Sequence, residues 1–200
     1  MLFRSNVTGL PANTWCYHIE ASVFGEGTAY AVFEGHTTGD FTPYLYKTTD
    51  YGTTWKSIAT SEITTFIRGV QEDYSNQNLV YVGAENGLYI TLDGGAHWSK
   101  FTNNMPSVAV HYLELDVKSK SLVMATHGRG IIILDHTELL SELTPKALEA
   151  NVYFFPTRPF VMSEKSSFGG TSTEHQFVGT NPSDNARISY LLPKIGRAHV

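Results

Sequence analysis

The chain has 200 residues and a formal net charge of −5, with only 16 % charged but 12 % aromatic residues. Lacking any basic cluster, it offers no nucleic-acid footprint, and no apolar run is long enough for membrane insertion as a helix. Cys16 is the single cysteine, which excludes a disulfide framework and a thiolate metal site and reads as a small buried residue, a catalytic thiol being the alternative.

The two ends stand apart from what lies between them. Residues 1–5 can be written as the codons GTG CTC TTC CGA TCT and residues 195–200 as ATC GGA AGA GCA CAC GTC. Over their shared length these strings are reverse complements, and they read as translated sequencing adapter. The expectation is that 1–5 and 194–200 are artefact and that Arg4, Arg197 and His199 have no role.

From Trp15 onward, β-rich runs alternate with turn residues. Trp15, Tyr17 and Ile19 suit the innermost strand of a first sheet, followed by runs at 28–35, 44–49 and 55–58. A second sheet is expected from 66–72, 79–84, 87–92 and 98–101, and a third from 110–116, 122–126 and 130–134. Between the last two runs of the first sheet stands Thr48-Thr49-Asp50-Tyr51-Gly52-Thr53-Thr54-Trp55, and in the second Thr91-Leu92-Asp93-Gly94-Gly95-Ala96-His97-Trp98. Both read [ST]-x-D-x-G-x-x-W, and 91 − 48 = 43. That period is the length of one four-stranded propeller blade, so the fold expected is all-β, a partial β-propeller of about three consecutive blades. In the third copy His136 stands where Asp93 stands in the second, and the motif is lost.

The motif explains itself as a fold device. Asp50 or Asp93 can accept several inward-pointing backbone N–H groups of a tight turn, each bond to the charged carboxylate contributing about 1.5–3 kcal/mol. Gly52 and Gly95 permit positive φ, Thr48 and Thr91 offer a hydroxyl for a local bond, and Trp55 and Trp98 can pack on a neighbouring sheet. A job repeated in successive blades is structural, whereas a catalytic acid or base is needed once.

After the third sheet, 137–148 has helical periodicity with a break at Pro145. Residues 163–175 form a polar, Gly/Ser/Thr-rich linker, and 176–193 open a second β domain with strands at 176–179 and 186–192 around a turn at 181–185. The domains expected are therefore 6–136 for the blades, 137–175 for the helical exit and linker, and 176–193 for the truncated start of a second β domain.

Blade turns alternate between two faces, so the loops at 35–43, 84–87 and 126–130 share the face opposite the repeated motif. They bring His36, Asp40, Glu85, Asn86, His127 and Arg129 to one rim, the candidate binding surface, against the plainer reading of solvated turn residues. Arg129, flanked by Gly128 and Gly130, could clamp a carboxylate or sulfate, or pair with Glu85. The i, i+4 spacing of His36 and Asp40 is metal-like but falls on a loop, and His97 and His111 read as packed neutral histidines, so no metal is assigned. A sialidase needs several arginines on its substrate carboxylate, and beyond the ends only Arg68, Arg129, Arg158 and Arg187 remain. Asp40 and Glu85 are the candidate pair for a glycosidase acid and base, with nothing in their spacing to single them out. No nucleophile motif or phosphate loop is present, and no cofactor is implied.

The two octapeptides resemble the Asp box of sialidase-like and sortilin-like propellers. Ala125-Thr126-His127-Gly128-Arg129-Gly130-Ile131 with Leu134-Asp135 is similar to the last-blade signature of large bacterial sortilin-like, BNR-repeat proteins. So are Tyr44-Leu45-Tyr46-Lys47-Thr48-Thr49-Asp50-Tyr51-Gly52, Gly87-Leu88-Tyr89 and Phe177-Val178-Gly179-Thr180-Asn181-Pro182. The resemblance implies export, further blades in a longer chain and a C-terminal β-sandwich. His127 departs from the Asn that the xyloglucan-hydrolase branch usually has before Gly-Arg-Gly. Two functions follow as expectations: a non-catalytic propeller binding a protein, peptide or glycan on its top-face loops, or a glycoside hydrolase whose carboxylates lie partly in other blades.

Overall fold

Alternation of apolar and polar residues does here what the pleat demands, sending every second side chain into a seam between sheets. A computed structural model of the chain describes residues 7–12, 14–157 and 187–192. The chain divides into two compact units, Met1–Thr144 and Pro145–Val200.

The first unit is three successive antiparallel meanders. Strands β1 (Trp15–Ala21), β2 (Ala29–Gly35), β3 (Asp40–Thr48) and β4 (Lys56–Ser57) form the first sheet in chain order. Strands β5 (Ile67–Glu72), β6 (Val80–Ala84), β7 (Gly87–Thr91) and β8 (Ser99–Lys100) repeat it. Strands β9 (Val110–Asp116), β10 (Ser121–Thr126) and β11 (Ile131–Leu134) form a third sheet of three strands. The chain is thus all-β, with sheets following one another as the blades of a partial propeller.

Two seams hold the sheets together. Tyr30, Val32 and Leu45 of the first sheet pack on Val70, Val80 and Val82 of the second, all at most 1 % exposed. On its other face the second sheet sets Leu79, Tyr81 and Leu88 against Leu113, Leu122 and Met124 of the third. Each such aliphatic side chain contributes about 1.5–3 kcal/mol on burial, so the seams dominate the stability of the unit. Gly83 permits the second seam to close, since a Cβ there would sit 2.7 Å from the carbonyl oxygen of Val110. Any larger residue would force β9 away.

Two local features differ from the sequence reading. Strand β3 begins at Asp40, four residues before the expected 44, because a 3-10 turn (His36–Thr38) and the left-handed Gly39 (φ 85°) reverse the chain early enough for Asp40 to pair with Gly35. Cys16, expected inside, is exposed, since it lies on the face of β1 turned away from the first seam.

Short helices α1 (Glu138–Ser141) and α2 (Pro145–Glu149) occupy the stretch expected to be helical, with Pro145 opening α2 where its missing N–H is harmless. In the second unit β12 (Tyr153–Phe154) pairs with β13 (Tyr190–Leu191), and Phe155 N–H adds a bond to the Ser189 carbonyl. The expected linker at 163–175, the strand at 176–179, the turn at 181–185, Arg158 and both adapter-like ends lie outside the described residues.

Candidate functional site

The two repeated turns share one hydrogen-bond plan. Thr48 Oγ1 donates to Asp50 Oδ1 at 2.8 Å and Thr91 Oγ1 to Asp93 Oδ1 at 2.7 Å. The same hydroxyls accept the N–H of Gly52 and of Gly95, both at 3.0 Å. Four residues on, Asp50 takes the backbone N–H and the hydroxyl of Thr54, while Asp93 takes the N–H of His97 and its ring Nδ1 at 2.7 Å. The Thr54 hydroxyl and N–H and the Thr48 hydroxyl lower the Asp50 pKa to about 2. Burial pushes the Asp93 carboxyl up, but the N–H of His97, the Thr91 hydroxyl and the His97 ring outweigh it and hold it at about 2 as well. Both carboxylates are held ionised and committed to the donors of their own turns.

The tryptophans tie these turns to the sheets. Trp98 is 3 % exposed within the first seam, and its Nε1–H donates to the Ile58 carbonyl at 2.9 Å. Its backbone N–H is bonded by Glu62 Oε2 at 2.6 Å, from the connection between the first two sheets. That bond, then the Thr60 hydroxyl, holds the Glu62 pKa below its ordinary value. Trp55 is half-buried, and its Nε1–H turns back to Gly52 of its own motif at 3.2 Å. His97, expected to be packed and neutral, is instead 79 % exposed, and its partner Asp93 raises its pKa. A cavity of about 210 Å³ lies beside this turn, lined by Ile90, Leu92, Asp93, His97 and Ser99.

At the opposite strand ends the structure gathers a different set around a residue the sequence reading left unassigned, Arg68. Strand β5 carries it next to Phe66 and Tyr17, with the guanidinium 5.0 Å and 5.5 Å from the two ring centroids. Arg68 Nη1 is 3.6 Å from Glu34 Oε2, and Nε is 3.5 Å from Glu85 Oε2. His36 Nδ1 approaches the same Glu34 oxygen at 2.8 Å, and its ring stacks on Phe66 at 4.9 Å and 5°. These are ion-pair distances without hydrogen-bond alignment. Glu34 Oε2, His36 Nδ1 and Arg68 Nε are therefore buried with no aligned hydrogen-bond partner.

The remaining expected residues are spread along the same rim. Asp40 is occupied: it accepts the Thr42 N–H at 3.0 Å and the Tyr44 hydroxyl at 2.7 Å. Thr42, then Tyr44, hold its pKa below the usual range. Glu85 has its partner in Arg68, so the two carboxylates are engaged separately. Asn86 donates from its side chain to Thr64 Oγ1 at 3.2 Å. The His127 ring stacks on His111 at 5.2 Å. Burial, then the charges of Arg68 and His127, lower the His111 pKa. Arg129 is exposed and, among the described residues, makes no ion pair. The partner suggested for it, Glu85, belongs to Arg68, which lies on the strand paired with β6 and so starts nearer. A β-strand arginine beside aromatic neighbours was the signal available for Arg68; its two acidic partners, 34 residues before it and 17 after it in sequence, were not visible. Among the described residues no group of three or more His, Cys, Asp or Glu converges as for a metal ion.

Residues 44–141 match the family model described as Sortilin, neurotensin receptor 3 (Sortilin-Vps10). Among solved structures the chain is similar to the GH74 enzyme of Niastella koreensis, with a TM-score of 0.49 and 18 % identity over 60 % of this chain and 21 % of that one. The GH74 xyloglucanase of Xanthomonas campestris gives 0.47 and 11 % over 60 % and 22 %. YCF48 bound to D1 peptide gives 0.48 and 16 % over 66 % and 39 %. The chain therefore spans well under half the length of these three. No curated protein matches it in sequence.

Proposed function

We propose that this chain, sortilin-like over residues 44–141, is a non-catalytic propeller segment that binds a peptide, protein or glycan through the rim around Arg68. The observation that carries the reading is the set of buried polar atoms left without aligned bonds there, Glu34 Oε2, His36 Nδ1 and Arg68 Nε. Buried polar groups are nearly always hydrogen-bonded, and a half-satisfied network is costly. A ligand with both donors and acceptors, such as a peptide backbone or a sugar hydroxyl face, completes it. Tyr17 and Phe41, both exposed, add flat apolar surface beside the charges, which suits a peptide side chain or a sugar ring. Arg129 and His127 extend the same rim toward the third sheet.

Hydrolysis finds less support in these residues. A glycosidase needs two carboxylates facing one bond, and Asp40 and Glu85 are each committed to a different neighbour. Further blades of a longer chain would complete the ring, and with it the opposite side of the binding surface.

A peptide and glycan array on the protein, followed by a chromogenic glycoside screen, tests the reading. Saturable binding lost in Arg68→Ala, with no turnover, supports it. Turnover abolished by Asp40→Asn or Glu85→Gln overturns it.

A further inference from the structure

The turn between β6 and β7 consists of Glu85 and Asn86, closed by the pairing of Ala84 with Gly87. Asn86 is the one asparagine of the chain that a glycine follows. In Asn76-Gln77, Asn78-Leu79, Asn104-Met105 and Asn151-Val152 the following residue has a side chain that shields its own backbone nitrogen. Gly87 has none, and it sits at φ 144°, where other residues rarely go. Beyond its chain neighbours, a Cβ placed there would meet Lys100, with Cε at 3.1 Å and Nζ at 3.9 Å. What covers this glycine is therefore an exposed, flexible side chain that carries a positive charge.

The side chain of Asn86 is weakly anchored. Its Nδ2 donates to Thr64 Oγ1 at 3.2 Å, the long end of the range for such a bond. Its Oδ1 is buried without a hydrogen-bond partner, an exception among buried polar atoms. An amide held by one long bond can turn its Cγ toward the nitrogen of the next residue. The main-chain carbonyl of Asn86 is better placed, accepting the Ser107 hydroxyl at 3.1 Å. Residue 86 thus holds the connection before the second sheet, through Thr64, and the connection after it, through Ser107.

We infer that Asn86 is a site of spontaneous deamidation, a slow modification that adds a negative charge to the rim beside Glu85. The Gly87 backbone nitrogen gives up its proton to solvent base and attacks Asn86 Cγ. The bond from Cγ to Nδ2 breaks, and Nδ2 takes up a proton and leaves as ammonia. Water then opens the resulting succinimide. Opening at Cγ gives an aspartyl residue at position 86, and opening at the main-chain carbonyl gives an isoaspartyl one. The sum is one water consumed and one ammonia released, with no change of oxidation state. Either product is an ionised carboxylate at neutral pH, and the Lys100 ammonium is a counter-charge close at hand. Both products lose the amide donor to Thr64, and the isoaspartyl form also lengthens the turn by one backbone methylene. Glu85, which pairs with Arg68 at 3.5 Å, then has a second acid next to it in the chain. The chemistry proceeds whether or not the rim binds a ligand, so it stands independently of that reading.

Ageing of the whole chain at mildly alkaline pH tests the inference, with one sample folded and a second unfolded in urea. Tandem mass spectrometry of peptides locates the conversion, and anion exchange of the intact chain reads its charge. In the folded sample Asn86 is expected to convert ahead of Asn76, Asn78, Asn104 and Asn151, and the chain to shift by one added negative charge. Asn86→Gln, its fold checked by circular dichroism, loses that shift, because glutamine would have to close a less favourable six-membered ring. Asn86 remaining intact in the folded chain while the unfolded chain converts overturns the inference, since the turn would then protect it. Conversion that begins at another asparagine, no conversion in either sample, or a charge shift that persists in Asn86→Gln overturns it as well. The folded and unfolded wild-type samples decide the matter even where the variant does not fold.

Discussion

The Tyr30 hydroxyl donates a 2.7 Å hydrogen bond to Glu72 Oε1 across the seam between the first two sheets. The other carboxylate oxygen accepts the Val23 N–H at 3.2 Å, and the side-chain amide of the neighbouring Gln71 reaches Glu20 on β1 at 2.8 Å. Burial, followed by this bond and the Glu72 charge, raises the Tyr30 phenol pKa well above its ordinary value. A buried acid thus ties the first two sheets together alongside their apolar packing.

Tyr30→Phe keeps the ring and removes the donor. The bond involves a charged partner, so the expected loss is about 1.5–3 kcal/mol, read from the midpoint of urea unfolding. If the loss is caused by a stranded carboxylate, the same substitution made in a Glu72→Gln background costs less. A double-mutant cycle showing strict additivity would mean that the two residues act separately.

The tryptophans of the two repeated turns differ in the same measurement. Trp98→Ala empties a buried site in the first seam and is expected to cost about 3–5 kcal/mol. Trp98→Phe isolates the Nε1 bond to Ile58 and costs about 1 kcal/mol beyond any packing loss. Trp55→Ala removes a half-buried ring bonded only to its own turn and costs distinctly less than Trp98→Ala. Equal losses at both sites would show that Trp55 is as well packed as Trp98.

The strands and their period could be read because each depends on local alternation and on turn residues. All eleven strands of the first unit overlap runs expected from the sequence. The rim could be read only in outline, since loops 35–43, 84–87 and 126–130 do lie at one set of strand ends. What the sequence did not reveal is which residues pair there. Arg68 meets Glu34 and Glu85 through the stacking of one sheet on another, and Glu62 reaches Trp98 across 36 positions. His97 was misread because the turn directs its side chain outward while tying its backbone to Asp93.

The residue after each motif aspartate occupies the left-handed region, Tyr51 at φ 58° and Gly94 at φ 72°. Glycine adopts this conformation freely, whereas another residue bears about 1–2 kcal/mol of strain. Gly94→Ala is therefore expected to cost about 1 kcal/mol, since a Cβ there meets nothing nearer than 3.6 Å and strain alone decides the sign. Tyr51 is 78 % exposed, so Tyr51→Gly relieves strain with little packing lost. It should raise the thermal midpoint, unless the contact of its ring with the Gly27 region offsets the gain. A fall in midpoint on Tyr51→Gly would assign that contact more weight than the backbone strain.

The two turns should also differ in their dependence on pH. Asp50 and Asp93 are held at about 2, below the ordinary value of about 3.9 for an unfolded aspartate. A lowered folded-state pKa contributes stability above the unfolded value and loses it as pH falls through the folded one, so both turns weaken between about pH 4 and pH 2. Asp50→Asn and Asp93→Asn each flatten that acid limb. His97 is a base with a raised pKa, so its contribution is complete below the ordinary value of about 6.5 and fades as pH rises through the raised one. At the equivalent place in the first turn Thr54 donates a neutral hydroxyl to Asp50 at 2.6 Å, a bond unaffected by neutral pH. Replacing His97→Thr should abolish the upper limb of the thermal midpoint against pH while leaving the acid limb in place. An upper limb that survives the replacement would show that the pair of His97 with Asp93 is not its source.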